Sequence, residues 1–237
     1  MRHLSRKNLE SIGERYVRAY KRLPEFKDGT VYSVSPSILI EQVLNLNIEY
    51  HHLSLDGSVL GVTTKDHETG YKVYDETDEV EYFFFDGNTI LIEKDLKDDI
   101  SCLGRRHYTE AHEAGHQILQ MLFPEDYADE QNKLHFCLST PPPQQTRDWK
   151  EWQADTLASV LLMPKELVVQ AMQLHGLGEI INRLNRIWAT EEYEKFCSMA
   201  RLLGVSKQAL SIRLSQLGLV EHNDFRNPYA VMNIEYE

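Results

Sequence analysis

The chain has 237 residues, with 25 Lys and Arg against 37 Asp and Glu, a formal charge of −12. Hydrophobic residues at 42% and charged residues at 26% exclude collagen-like and wholly disordered classes. The longest apolar runs, such as Val160-Leu161-Leu162-Met163, fall far short of the ~20 residues of a membrane span, and so acidic a surface repels phosphates unless a basic patch is segregated on it.

The first 22 residues carry seven Lys/Arg and two acids without a continuous apolar core, so they are not read as a signal peptide. Leu9, Ile12, Tyr16, Val17, Tyr20 and Leu23 follow helical spacing and predict an amphipathic helix over 5–23. Ser35-Pro36 opens a second helical stretch through Ile38, Leu39, Val43, Leu44 and Leu46. From 48 to 94 the pattern turns to strands. Glu81-Tyr82-Phe83-Phe84-Phe85 and Thr89-Ile90-Leu91-Ile92 flank Asp86-Gly87-Asn88, which predicts a hairpin. Residues 66–99 hold twelve acids and three lysines, the composition of a solvated sheet face. Beyond 105 the chain reads as helical. One helix spans 109–123 and stops at Pro124; another spans 148–162 and stops before Pro164. A polar loop over 124–147, with Pro141-Pro142-Pro143, lies between them. Further helices are predicted at 165–174, 179–188, 191–203 and 207–217, with an irregular end. The order of elements makes an α+β fold. Cys102, Cys137 and Cys197 form no C-x-x-C pair, which points to a reducing compartment and hence the cytoplasm.

The chemistry centres on His112-Glu113-Ala114-Gly115-His116, an H-E-x-x-H motif. On a helix, positions i and i+4 lie about 40° and ~6 Å apart, so both imidazoles face one ion. Two neutral imidazoles hold zinc at about 2.0–2.1 Å and leave room for water. The ion lowers the pKa of that water toward ~7, and Glu113 can take its proton and pass it to a leaving amine. The bland alternative is a solvated helix face. Against it stand apolar Ala111, Ile118, Leu119 and Leu122, and a mid-helix Gly115 that suits close approach of another element.

A third ligand is needed, and position 122 is Leu rather than a third His. Glu151, in Glu151-Trp152-Gln153-Ala154-Asp155, fits; Asp155, one turn on, can accept the other N–H of a ligating His. Glu151 can instead close a capping box begun at Asp148. Rival ligands are His135, Glu125 and Asp126. Tyr108, Tyr127, His135 and His175 are all candidates to stabilise a tetrahedral intermediate. Residues 199–220 carry Arg201, Lys207 and Arg213 and no acid, in helix-turn-helix patterning; the same leucines also describe an ordinary packed helix pair.

Residues 105–116 (Arg-Arg-His-Tyr-Thr-Glu-Ala-His-Glu-Ala-Gly-His) resemble the R-F-T-x-A-H-E-x-G-H block of the ImmA/IrrE metallopeptidases. Residues 151–164 resemble that family's E-x-x-A-[ND]-x-F-A-x-x-L-L-M-P block, and 203–218 its F-x-V-S-x-x-A-L-x-x-R-L-x-x-L-G block. Tyr108 and Leu157 replace the usual Phe positions, and the stretch from His116 to Glu151 is longer than the family norm. The resemblance implies a gluzincin-like fold: a small mixed or antiparallel sheet on a mostly helical zincin-like core, with a C-terminal helix-turn-helix-like segment. It implies a metallopeptidase domain over 1–176 and a helical subdomain and tail over 177–237. His112, His116 and Glu151 match the family's metal ligands and Glu113 its catalytic glutamate, with Asp155 orienting a histidine. One Zn²⁺ per chain is expected, or another divalent ion. The implied substrate is a protein, a helix-turn-helix repressor whose cleavage relieves repression; neither a membrane nor nucleic acid is expected as a partner. An exposed strand at Ile90–Ile92 is expected to pair with an extended substrate segment. The competing expectation is a DNA- or protein-binding regulator whose metal site is structural or vestigial.

Overall fold

The computed structural model describes residues 2–65, 69–126, 136–139 and 148–229. They divide into two compact units, residues 1–29 with 34–162 and residues 30–33 with 163–237.

In the first unit, α1 (Arg6–Tyr20) begins where the spacing places it. The Ser5 hydroxyl accepts the Asn8 N–H while the Asn8 side chain accepts the Ser5 N–H, closing a reciprocal cap. Its buried face, Leu9, Gly13, Val17 and Tyr20, packs on α4 (Trp149–Leu162). The stretch after Ser35 is shorter than expected: one turn, α2 (Pro36–Ile38), runs into a π-helical turn over Leu39–Val43. The long helix α3 (Leu103–Leu122) packs on α4 and on a sheet of four strands. In space these lie in the order β1 (Asn47–His51), β5 (Thr89–Glu93), β2 (Val59–Thr63), β6 (Phe136–Leu138). β1 runs parallel to β5, which runs antiparallel to β2, which runs antiparallel to β6.

The predicted hairpin does not form. β4 (Val80–Phe84) pairs back with β3 (Gly70–Tyr74), in register Val73↔Glu81 and Tyr71↔Phe83. The connecting turn is built by Asp75, whose carboxylate accepts the Thr77 and Glu79 N–H groups. The turn through Gly87 (φ 80°) instead hands the chain to the neighbouring sheet. The physical reason lies in the side chains. Ile90, Leu91 and Ile92 are apolar on both faces and need cover on both, which a central strand has; all three are 0% exposed. The expectation that this strand offers a free edge to a substrate is therefore overturned. β4 is the solvated strand, exposed along its whole length.

In the second unit, α5 (Lys165–Leu174), α6 (Thr190–Leu203) and α7 (Lys207–Leu217) match the expected helices. Gly204 in the left-handed region ends α6, and the Ser206 hydroxyl caps α7 by accepting the Ala209 N–H, a helix pair that resembles a helix-turn-helix. The predicted helix at 179–188 is wrong. Ile181–Leu184 is β7, parallel to β8 (Val220–Asn223), whose pairing residues are too distant to show in a local pattern. Fully buried Asn185 ties the strand's end together: its oxygen accepts the Ile187 and Trp188 N–H groups, and its amide donates to the Pro228 carbonyl. Arg213, in the basic stretch considered for DNA, is buried with Nε donating to the Met163 carbonyl, so it presents no charge to a phosphate. Cys102, Cys137 and Cys197 are unbridged. Among the described residues no single helix is long and apolar enough to cross a membrane.

Asn185→Ala leaves the buried Pro228 carbonyl without the Asn185 amide and removes the acceptor of the Ile187 and Trp188 N–H groups, and should cost about 1–3 kcal/mol in urea unfolding; Asn182→Ala, on the same strand at an exposed position, should cost under about 0.5 kcal/mol.

Candidate metal centre

α3 serves two surfaces at once. Glu110, Glu113 and Gln117 reach toward the sheet side. Glu110 accepts from the Tyr50 and Ser37 hydroxyls, and Gln117 donates to the Gly87 carbonyl. Burial raises the Glu110 carboxyl above its ordinary range, against the pull of those hydrogen bonds and of Arg106. One step round, Tyr108, His112 and His116 turn toward α4.

α4 comes close because Gly115 has no side chain. A Cβ there would sit 3.1 Å from the Ala154 carbonyl oxygen and 3.3 Å from its Cα. The approach brings the Glu151 carboxylate onto both histidines: Oε2 lies 3.3 Å from His112 Nε2, and Oε1 lies 3.4 Å from His116 Nε2. The two Nε2 atoms are 3.1 Å apart. These three separations match the edge of a tetrahedron, about 3.3 Å, that zinc bonds of about 2.0–2.1 Å generate. Two imidazoles and a carboxylate are a donor set that suits zinc, so the residues fit the ion.

Asp155 sits behind the ligands. Its Oδ1 lies 3.0 Å from His112 Nδ1 and 2.5 Å from the Tyr108 hydroxyl. With Nδ1 donating to Asp155, Nε2 faces Glu151, and loss of its proton would free its lone pair for an ion. Tyr108 thus donates to Asp155 at the back of the centre and is not placed as a stabiliser of a tetrahedral intermediate. His175 lies in the second unit, its Nδ1 on the Ala171 carbonyl. Tyr127 and His135 fall outside the described residues. Glu125 pairs with Arg2 and, like Asp126, is not in the cluster.

Glu113 is fully buried, and its Oε2 accepts from the Thr63 hydroxyl at 2.7 Å. The sheet makes room for it at Gly61, where a Cβ would meet the Thr109 methyl at 2.7 Å and Glu113 Oε1 at 3.0 Å. Cys137 on β6 brings its thiol within 4.8 Å of a His112 ring nitrogen and the Glu113 carboxylate, and burial pushes that thiol up to about 11. Thr63 and Gly61 are absent from the site residues singled out in the sequence, and Cys137 enters there only as evidence of redox compartment. Only Gly61, a glycine inside a strand, carried a local signal of close approach.

Burial alone would lower the basicity of His112, but its Glu151 hydrogen bond and the neighbouring Cys137, Glu113 and Glu151 raise it to about 9. No family model matches the chain, and no curated protein matches it.

Two outcomes follow for metal binding. His112 in the metal-free fold titrates above the ordinary imidazole value, so its contribution to stability is present below pH 6.5 and lost as pH rises through about 9. An ion replaces that proton; zinc addition at pH 7 should release about one proton per chain from His112, read by calorimetry in buffers of different ionisation enthalpy. Mass spectrometry of protein purified without added metal should find about one zinc per wild-type chain, lost in His116→Ala and at least about tenfold weaker in Glu151→Gln.

Proposed function

We propose that the protein is a zinc-dependent endopeptidase of the ImmA/IrrE type that cleaves a helix-turn-helix repressor. The observation that carries this reading is the joint placement of two elements: three ligand atoms at tetrahedral spacing, and a buried glutamate one residue from the first ligand, held by a hydroxyl. His112, His116 and Glu151 hold the ion and Asp155 fixes the His112 tautomer. When bound, zinc supplies Lewis acidity that acidifies a water and polarises a carbonyl. Glu113 takes a proton on its carboxylate and delivers it to the departing amine, while the Thr63 hydroxyl keeps that carboxylate in place. The outer strands of the four-stranded sheet are β1 and β6. β6 brings Cys137 to the centre, which supports an extended substrate segment adding along β6 rather than β5. The three unbridged cysteines support a reducing compartment, the cytoplasm.

A structural metal site in a regulator is the second reading, and Cys137 is the observation that favours it. Its thiol lies within 4.8 Å of a ring nitrogen of one of the three ligands, His112, which makes it a candidate further donor, and four protein donors close a zinc site to chemistry. The DNA-binding form of that reading loses Arg213, which is buried.

The test is a comparison of new protein N-termini in cells expressing wild type and Glu113→Gln. The substitution should leave zinc content intact and cut cleavage by about 10²–10⁴-fold, with a helix-turn-helix repressor as the processed protein. Equal processing by both, or none by zinc-loaded wild type, overturns the peptidase.

A further inference from the structure

The β3–β4 ribbon presents a surface that the metal centre does not use. Along β4, Val80, Tyr82 and Phe84 alternate onto one face and are 43%, 63% and 62% exposed. Three large apolar side chains side by side on a strand are unusual on a solvated surface and mark a contact site more often than single exposed residues do.

The backbone of the same residues is turned outward. Asp75 N donates to Glu79 O at 3.0 Å, which makes 75 and 79 a hydrogen-bonded pair. Antiparallel pairs alternate, so Val73 with Glu81 and Tyr71 with Phe83 also exchange bonds. The N–H and C=O groups of Val80, Tyr82 and Phe84 therefore point away from β3, and among the described residues no strand lies along that edge. The residues that expose apolar side chains are the ones that offer ladder bonds.

Charge selects the occupant. Residues 75–84 carry Asp75, Glu76, Asp78, Glu79 and Glu81 and no base. Glu76 is met by Lys94 at 3.6 Å, while Glu79 and Glu81 project from the face opposite Tyr82 and Phe84. A second copy laid along this edge would set acid against acid, which a cross-strand pair penalises. Nucleic acid and anionic lipid meet the same repulsion. The aromatic face already carries a cation, Lys72 Nζ standing 4.8 Å over the Tyr74 ring, so the bases of an added strand belong on the Glu79 and Glu81 face.

We infer that the free edge of β4 binds an extended cationic polypeptide segment that adds as a further strand, with alternate residues basic and aliphatic. Its Lys or Arg side chains meet Glu79 and Glu81 on one face, and its aliphatic side chains cover Tyr82 and Phe84 on the other. The inference stands on the ribbon alone and holds whether or not the metal centre hydrolyses a peptide.

The test uses the full chain and a fluorescent peptide of about ten residues alternating Lys and Val, followed by anisotropy at near-physiological salt. Controls are a block peptide of the same composition and an alternating Glu–Val peptide. The alternating Lys–Val peptide should bind at least about tenfold more tightly than the block peptide. Tyr82→Ser with Phe84→Ser, which leaves net charge and every buried side chain unchanged, should weaken it about tenfold. Hydrogen exchange should show the Val80, Tyr82 and Phe84 amides protected on binding. Equal binding of the block peptide, or undiminished binding by the folded double variant, reduces the effect to bulk charge and overturns the proposal. Absence of binding overturns it too, as does a concentration-dependent dimer that the double variant abolishes.

Discussion

The contact between Gly115 of α3 and the Ala154 backbone of α4 is the constraint on which the rest of the first unit depends. With a Cβ position only 3.1 Å from a carbonyl oxygen, the two helices are closer than a side chain at 115 would comfortably allow. That separation sets Glu151, three residues before Ala154, against both imidazoles, and Asp155, one residue after it, behind His112. A side chain at 115 would crowd the Ala154 backbone and require α4 to give way, which loosens the placement of both carboxylates. Ala154 and Ala158, both fully buried, extend the same close seam.

The centre concentrates polar groups where burial penalises them. Glu113, Glu110 and His112 are all inside, and a buried carboxylate is tolerable only with donors. Each is matched from a different element: the Thr63 hydroxyl of β2 donates to Glu113, the Tyr50 hydroxyl of β1 and the Ser37 hydroxyl of α2 donate to Glu110, and Asp155 of α4 accepts from His112. The scaffold therefore does more than support the helix. Its strands and helices each supply a partner to one residue of α3, and α3 is fixed in rotation as a result.

The legible parts of this site were those encoded within one helix. His112, Glu113 and His116 share α3 and follow from helical spacing; Glu151 and Asp155 follow from spacing within α4 and from the resemblance of both blocks. What spacing could not give is what meets across elements. Tyr108 looked equally able to serve the substrate, and only its position against Asp155 assigns the hydroxyl. Thr63 and Cys137 belong to strands whose distance from α3 no local pattern encodes. The fold follows the same division. The helices opened by the local caps at Ser5 and Ser206 fall where spacing places them. The places of β5 and β7 are set by partners distant in sequence, β1 and β2 for β5 and β8 for β7, so a good turn at Asp86-Gly87-Asn88 suggested the wrong pairing.

The strand order β1-β5-β2-β6 also dictates a sequence of assembly during synthesis. β1 and β2 emerge first, yet they do not pair with each other; both wait for β5, and the far edge of β2 waits for β6. Ladders of this kind close slowly, because the chain entropy of distant segments must be lost before the bonds form. The histidines of α3 leave the ribosome well before Glu151 and Asp155, and a bare imidazole pair lacks the third donor and the partner that orients the first. An ion held by all three donors would then be captured late, by a nearly finished unit, and its binding would draw the last folding step toward completion.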